Sequence, residues 1–439
     1  MKHSTAKIVI LFYVVLIILG LALLCLPVSR RPGYEFSVMH NLFTAVSSAC
    51  VIGLSTVDVP QYYTYFGRCV MLLLLQVGAL GYMLISMAVV LVIGQIPLKD
   101  RRIMQDLFDI NSFSDLKKLL HKVIVFVFGI ELIGAIILTL SFWRDYSFPL
   151  AVFHGVFNSI TSFCNAGYSS FSNSMESYAN SPVVLYTLAI LLVLGGVGFF
   201  VLVDIYDKYK NKNIHISLHS KIVLSFTAGL VAFGFLYFFF SKEMGILSGN
   251  SLVYSVNNSF FTATSVRTAG FNSVSAYILN DISKTVIMFL MAIGGAPGST
   301  SNGLKVTTLA LVLIFVLATL RNREDYVIFK RRIPYDLIKK GLLIFVVYSV
   351  TLTLFVITMV LIEESTQRPI DAMFEAISAF STVGFSLGIT EKLSTAGKIV
   401  DMLAMIVGRV GILTILLFTV NSVTKKRNIQ YPETRILVG

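Results

Sequence analysis

The stretch Asn41-Leu-Phe-Thr-Ala-Val-Ser-Ser-Ala-Cys-Val-Ile-Gly53-Leu54 decides how the rest of the chain is read. Alone it is an apolar run with one glycine. Three looser copies follow: Phe157-Asn-Ser-Ile-Thr-Ser-Phe-Cys-Asn-Ala-Gly167-Tyr168, Phe260-Phe-Thr-Ala-Thr-Ser-Val-Arg-Thr-Ala-Gly270-Phe271 and Phe374-Glu-Ala-Ile-Ser-Ala-Phe-Ser-Thr-Val-Gly384-Phe385. Ten residues before each glycine stands Phe43, Phe157, Phe260 or Phe374. Six before it stands a hydroxyl: Ser47, Thr161, Thr264 or Ser378. The glycines lie 114, 103 and 114 residues apart. That period is too long for a solenoid and suits four membrane-spanning units around one axis.

Composition supports a polytopic membrane protein. The 439 residues are 56% hydrophobic and only 13% charged, against about 25% charged in a soluble domain. Most of the 35 Lys and Arg fall at the termini and in three inter-repeat loops, so the net charge of +12 reports topology and not a nucleic-acid partner. Loops 99–122 and 321–340 are cytoplasmic by this rule, and suit either a protein partner or anionic membrane lipid. Cys25, Cys50, Cys69 and Cys164 show no metal-type spacing. The apolar run after Lys2 and Lys7 belongs to the repeat and is kept as a helix.

Outward from the glycines, each unit is predicted as helix, short segment, glycine turn, helix. The long helices are placed near 7–27, 66–94, 120–142, 182–205, 220–240, 284–320, 338–362 and 397–424. The short segments at 40–50, 154–164, 257–267 and 371–381 cannot span, which takes about 20 apolar residues. The expected fold is an all-α polytopic membrane protein. It has four helix–pore loop–helix repeats (1–98, 99–210, 211–325 and 326–439), with eight spanning helices in pseudo-fourfold array around one pore. Both basic termini are expected in the cytoplasm.

Irregular backbone at membrane depth must line a cavity or be buried in protein. Four short helices ending there would aim carbonyls and negative dipole ends at a cation. The residues after them are Val51-Ile52-Gly53, Asn165-Ala166-Gly167, Thr268-Ala269-Gly270 and Thr382-Val383-Gly384. Their carbonyls are expected to replace an ion's hydration shell, with no carboxylate among them.

A second motif recurs in the second helix of each unit: Gly78-Ala-Leu-Gly81, Gly195-Gly-Val-Gly198, Gly295-Ala-Pro-Gly298 and Gly408-Arg-Val-Gly411. In units one, two and four it fits close helix packing. Unit three differs. Gly294, Gly295, Ala296, Pro297, Gly298, Ser299, Thr300, Ser301, Asn302 and Gly303 cannot sustain a helix and are expected to unwind into a gating loop. The loop lacks the lysine placement and preceding strand of a phosphate-binding loop. Arg409 lies level with this loop by repeat alignment. A charge at that depth is costly, and it is expected to hold the loop closed. Arg267 is expected to brace the third short helix, with Glu375 as its partner. His40 and His154 stand singly, and no catalytic pair shares a depth.

These residues resemble the Trk/Ktr/HKT superfamily of potassium transporters over nearly the whole chain, most closely the membrane subunit of bacterial Ktr systems. The resemblance carries through the single glycines, Arg267-Thr-Ala-Gly270-Phe271, the unit-three loop and Arg409. It implies a K⁺ pore in a bacterial plasma membrane, Na⁺ stimulation and a homodimer. It further implies a cytoplasmic ring of KtrA-type RCK subunits that bind ATP or ADP. Glycine at position 53 points to K⁺, whereas relatives with serine there favour Na⁺. Ala49-Cys-Val-Ile-Gly53 lacks the threonine that many relatives carry before the glycine. The rival functions are a Na⁺-permeable relative and an alternating-access carrier. The second is disfavoured because all repeats run in one direction.

Overall fold

The computed structural model describes residues 2–93, 113–323, 325–365 and 367–411, and the side chains of all but 2–6, 82–93 and 113–120 among them. Most of loop 99–122, the end of the 397–424 helix and the C-terminal tail lie outside them. Helices dominate. Unit one contains α1 (Lys2–Leu24), α2 (Val38–Ala49), α3 (Val59–Tyr62) and α4 (Tyr65–Ile93). Unit two contains α5 (Phe113–Phe142), α6 (Phe148–Phe163), α7 (Pro182–Val197) and α8 (Phe199–Lys210). Unit three contains α9 (Leu218–Phe239), α10 (Leu252–Thr268), α11 (Asp281–Ala292) and α12 (Val306–Leu320). Unit four contains α13 (Tyr335–Ile362), α14 (Pro369–Phe380) and α15 (Thr395–Val410). A two-residue hairpin, β1 (Val327–Ile328) with β2 (Arg331–Arg332), joins units three and four.

Four of these helices are long and apolar enough to cross a membrane: Lys7–Leu24 within α1, His121–Phe142 within α5, α9 and α13. The bent pair α7 and α8 would make a fifth span. The eight expected crossings need three more. They would have to come from α4, whose described apolar stretch is Tyr65–Gly81, from the interrupted α11 and α12, and from α15.

The short helices α2, α6, α10 and α14 are the buried centre. Phe43, Phe157 and Phe374 have no exposed surface. Buried hydroxyls and amides such as Thr44, Ser48, Asn158, Ser162 and Ser259 accompany them. The spanning helices turn apolar side chains outward instead, as in Leu132, Leu236 and Leu361. Such a polar centre inside an apolar shell is the reverse of a soluble core and fits a lipid surround.

Two expectations need correction. The helix placed at 182–205 is broken, and α7 and α8 meet at 98°. Gly198 between them has φ +91°, a conformation that costs glycine little. The Phe199 amide leaves the helical ladder and donates to Gly298 O, 2.9 Å away. The short helices placed at 154–164 and 257–267 also start earlier, the first at Phe148 with Pro149 in its first turn and the second at Leu252, where Ser251 caps it by accepting from Tyr254 N.

Candidate cation pathway

Three of the four short helices end in the same way. In unit one, Val51 N donates to Ser48 O (3.1 Å) and Ile52 N donates to Ser47 O (2.9 Å). Asn165 and Ala166 repeat this on Ser162 and Thr161, as do Thr382 and Val383 on Ala379 and Ser378. This is a Schellman cap with a left-handed residue just past the helix. That residue is Val51 (φ 58°), Asn165 (φ 58°) or Thr382 (φ 57°). Left-handed backbone is strained for β-branched Val and Thr. In these three units the recurrent hydroxyl residue six before the glycine is therefore the one whose carbonyl accepts the outer hydrogen bond of this cap. In unit one it does more, since Ser47 Oγ accepts from Gly53 N (3.1 Å).

Unit three departs from the pattern. Helix α10 runs on to Thr268, two positions deeper relative to its glycine. Gly270 itself takes the left-handed conformation (φ 75°), and its amide donates to Ser265 O (3.0 Å).

The four glycines converge. A side-chain carbon on Gly53 would overlap the Gly167 backbone, and one on Gly270 would overlap Gly384 and Phe385. One on Gly384 would overlap the Ile52 carbonyl oxygen. One on Gly167 would sit 2.5 Å from Ala269 O. The segments Val51–Gly53, Asn165–Gly167, Thr268–Gly270 and Thr382–Gly384 thus touch one another around a common centre. One expectation is corrected at this point. The Ile52 carbonyl does not stand free, because Gly167 N donates to it at 2.8 Å.

On one side of this centre opens a cavity of about 490 Å³. All four glycines line it. So do Asp58, Glu176 and Glu391, with no Lys or Arg among the lining residues. An acidic mouth raises the local cation concentration.

On the other side lies the unit-three loop. It leaves α11 and returns to α12 through Gly294 N to Leu304 O (3.0 Å) and Leu304 N to Ala292 O (3.1 Å). Its hub is Thr300. Thr300 Oγ1 donates to Phe163 O (3.0 Å) and accepts from Asn165 Nδ2 (2.8 Å). Thr300 N donates to Gly195 O (3.2 Å), and Ala296 N to Gly196 O (2.9 Å). Thr300 O accepts from Arg409 Nη1 (2.8 Å). Arg409 also donates through Nη2 to Gly78 O (2.8 Å) and through Nε to Tyr13 Oη (3.1 Å). It is 4% exposed, and carbonyl and phenol oxygens surround the guanidinium. Arg409 therefore ties the loop to units one and four. Lys305 closes the far end, with Nζ on Ser301 O (2.7 Å).

The second motif has two jobs. Side-chain carbons on Gly78, Gly195 and Gly408 would overlap the carbonyl oxygens of Ala49, Phe163 and Phe380, the last residues of α2, α6 and α14. These glycines let the second helix press against the end of the short one. The closing glycine stays helical at Gly81 but has positive φ at Gly198 (91°), Gly298 (69°) and Gly411 (84°).

Arg267 and Glu375 do not pair. Glu375 accepts from Ser386 Oγ (2.9 Å) and Thr390 Oγ1 within unit four. Arg267 points instead toward unit two, where a side-chain carbon on Gly196 would lie 3.5 Å from its Nη2. Its Nη1 is buried without a hydrogen-bond partner. His40 bonds Thr56 Oγ1 (2.7 Å) and His154 bonds Ser170 Oγ (2.8 Å), each singly.

Tyr13, Thr300 and the Asn165 side chain were not singled out by sequence beyond their segments. Tyr13 is a lone phenol among apolar neighbours in α1. Asn165 is, after glycine, the residue type that most readily takes the left-handed position.

Comparison with known proteins shows the family. The model of the TrkH family, described as a cation transport protein, matches residues 8–431. The chain is 33% identical over 444 residues to the Ktr system potassium uptake protein B of Bacillus subtilis, covering 100% of this chain and 97% of that protein. It is 31% identical over 446 residues to the potassium/sodium uptake protein NtpJ of Enterococcus hirae, covering 100% and 98%. The fold resembles the crystal structure of the potassium transporter TrkH from Vibrio parahaemolyticus. The TM-score is 0.72 at 18% identity, over 95% of this chain and 85% of that one. The chain belongs to the TrkH family of cation transport proteins.

Proposed function

We propose that this protein is the membrane subunit of a potassium uptake system, a channel-like pore and not an enzyme. The observation that carries the proposal is the meeting of Gly53, Gly167, Gly270 and Gly384 at the floor of one acidic cavity. The printed names of the Bacillus subtilis and Vibrio alginolyticus relatives, both Ktr system potassium uptake protein B, support K⁺ as cargo. In this reading the twelve residues of the four glycine segments form the filter. Conduction requires the segments to part and the Ile52 carbonyl to leave the Gly167 amide. The loop Gly294–Gly303 is the gate beneath them, and Arg409 is its latch.

The rest of the reading follows from the repeats and the resemblance. In this reading eight crossings in pseudo-fourfold array leave both termini on one side, the cytoplasmic one by their basic charge, with the pore in a bacterial plasma membrane. Two copies associate. A cytoplasmic nucleotide-binding RCK ring acts on the basic loops, and Na⁺ stimulates uptake. A second reading, a pore that also passes Na⁺, is favoured by one observation. The Enterococcus hirae relative is named for both ions.

Uptake of K⁺ and Na⁺ by a K⁺-uptake-deficient bacterium, at matched protein levels, tests the filter. Gly53→Ser is expected to lower K⁺ over Na⁺ preference, and Gly270→Ser to abolish K⁺ uptake. Survival of both flux and preference in the two variants overturns the assignment.

A further inference from the structure

Far from the glycine centre, α12 passes from apolar to basic at its last residue. Leu313, Leu317 and Leu320 are 42%, 51% and 75% exposed, and Arg321 and Arg323 follow directly. A second cavity of about 310 Å³ opens at this boundary, within the size range of ligand pockets. One wall is apolar: Leu313 and Leu317 of α12 with Phe226 of α9. The other is the hairpin that carries Val327 and Ile328. Its two-residue turn, Phe329 and Lys330, has φ 49° and 60°, the mirror-type turn that matches strand twist. The hairpin is therefore a shaped wall and not a loose loop.

The rim of the cavity is charged. Arg321 and Arg323 line it, and neither has an ion-pair partner among the described residues. The lining carboxylate, Asp325, is already bound by Arg332 Nε at 2.8 Å. Lys330 and Arg331 add charge on the same hairpin. The site thus combines an apolar slot with two guanidinium groups that have no ion-pair partner among the described residues.

We propose that this cavity is a binding site for an anionic phospholipid, with an acyl chain against Phe226, Leu313 and Leu317 and the phosphate between Arg321 and Arg323. Charge complementarity selects the headgroup. A zwitterionic lipid offers the same chains but carries its own cation, which the two arginines repel. The bound lipid would join α9, α12 and the hairpin into one unit just beyond the second half of the proposed gate.

Native mass spectrometry of the full-length purified protein in detergent tests this, with phosphatidylglycerol and phosphatidylcholine of matched chains. Wild type is expected to retain phosphatidylglycerol selectively, and millimolar inorganic phosphate should not displace it. The variant Arg321→Gln with Arg323→Gln should bind about fivefold more weakly per arginine lost. Leu317→Trp should lose the lipid with both arginines intact. A wild-type melting temperature and elution volume for the variants confirm that the fold is preserved. Equal retention of phosphatidylcholine, displacement by phosphate, or undiminished binding in both variants overturns the proposal. So does a double arginine variant that keeps its lipid but no longer binds a cytoplasmic subunit.

Discussion

The two layers of the pathway are built on opposite principles. In the glycine layer, three units end their short helices with the same cap, and all four bring one glycine to a shared centre. In the layer beneath, every unit does something different. Unit one keeps its helix through Gly81. Unit two bends by 98° at Gly198. Unit three unwinds from Ile293 to Lys305, and unit four supplies Arg409. The difference teaches which task needs repetition. A cation held by carbonyls needs equal contributions from all sides. A barrier that opens needs one element with two arrangements, and repetition would only lock it.

The largest expected effect tests the repeated layer. Gly384→Ala puts a methyl group against the Ile52 carbonyl at a backbone conformation (φ 85°) that costs an L-residue about 1–2 kcal/mol. With backbone on both sides there is no room to yield. Potassium uptake in vesicles should fall at least ~100-fold, about 2.7 kcal/mol. Uptake within twofold of wild type would break the comparison.

The next effect has the opposite sign. Arg409→Ala removes the charged hydrogen bond to Thr300 O, worth about 1.5–3 kcal/mol. Flux should rise roughly tenfold. Thr300→Val sharpens the point with almost no change of shape. It removes the hydroxyl that links Phe163 O and Asn165 Nδ2, and one neutral bond is worth about 1 kcal/mol. Flux should rise about fivefold, read in the same assay.

The smallest effect concerns strain. Val51 holds a left-handed conformation that a β-branched residue tolerates poorly. Val51→Gly relieves about 1–3 kcal/mol of strain but loses the packing of a buried side chain, so thermal stability in detergent should stay within about 1 kcal/mol of wild type, with the same ion preference. Ala269 in unit three has φ −137°, so Ala269→Gly should destabilise or leave the melting temperature unchanged.

These layers also differ in what their sequences disclose. The glycine segments were legible because the constraint is local. Ser47, Thr161 and Ser378 close caps within their own segments, and each glycine is required by the backbone it meets. The unit-three loop was legible for the same reason, since Gly294–Gly303 cannot form a helix in any surroundings. The break at Gly198 was not legible. Its cause is an oxygen on Gly298, one hundred residues away, that takes the Phe199 amide. The partner proposed for Arg267 was also wrong, because Glu375 had hydroxyls of its own unit within reach. Arg409 was found from the cost of its burial, but Tyr13 and Gly78 as its holders depend on how units one and four pack.

The central claim is that selection and gating reside in separate layers. The ratio of K⁺ to Na⁺ flux into proteoliposomes, measured in parallel for wild type, Gly53→Ser and Arg409→Ala, tests it directly. The account predicts a lowered ratio for Gly53→Ser, and for Arg409→Ala a higher flux at the wild-type ratio. A changed ratio in Arg409→Ala, or an unchanged one in Gly53→Ser, would contradict it.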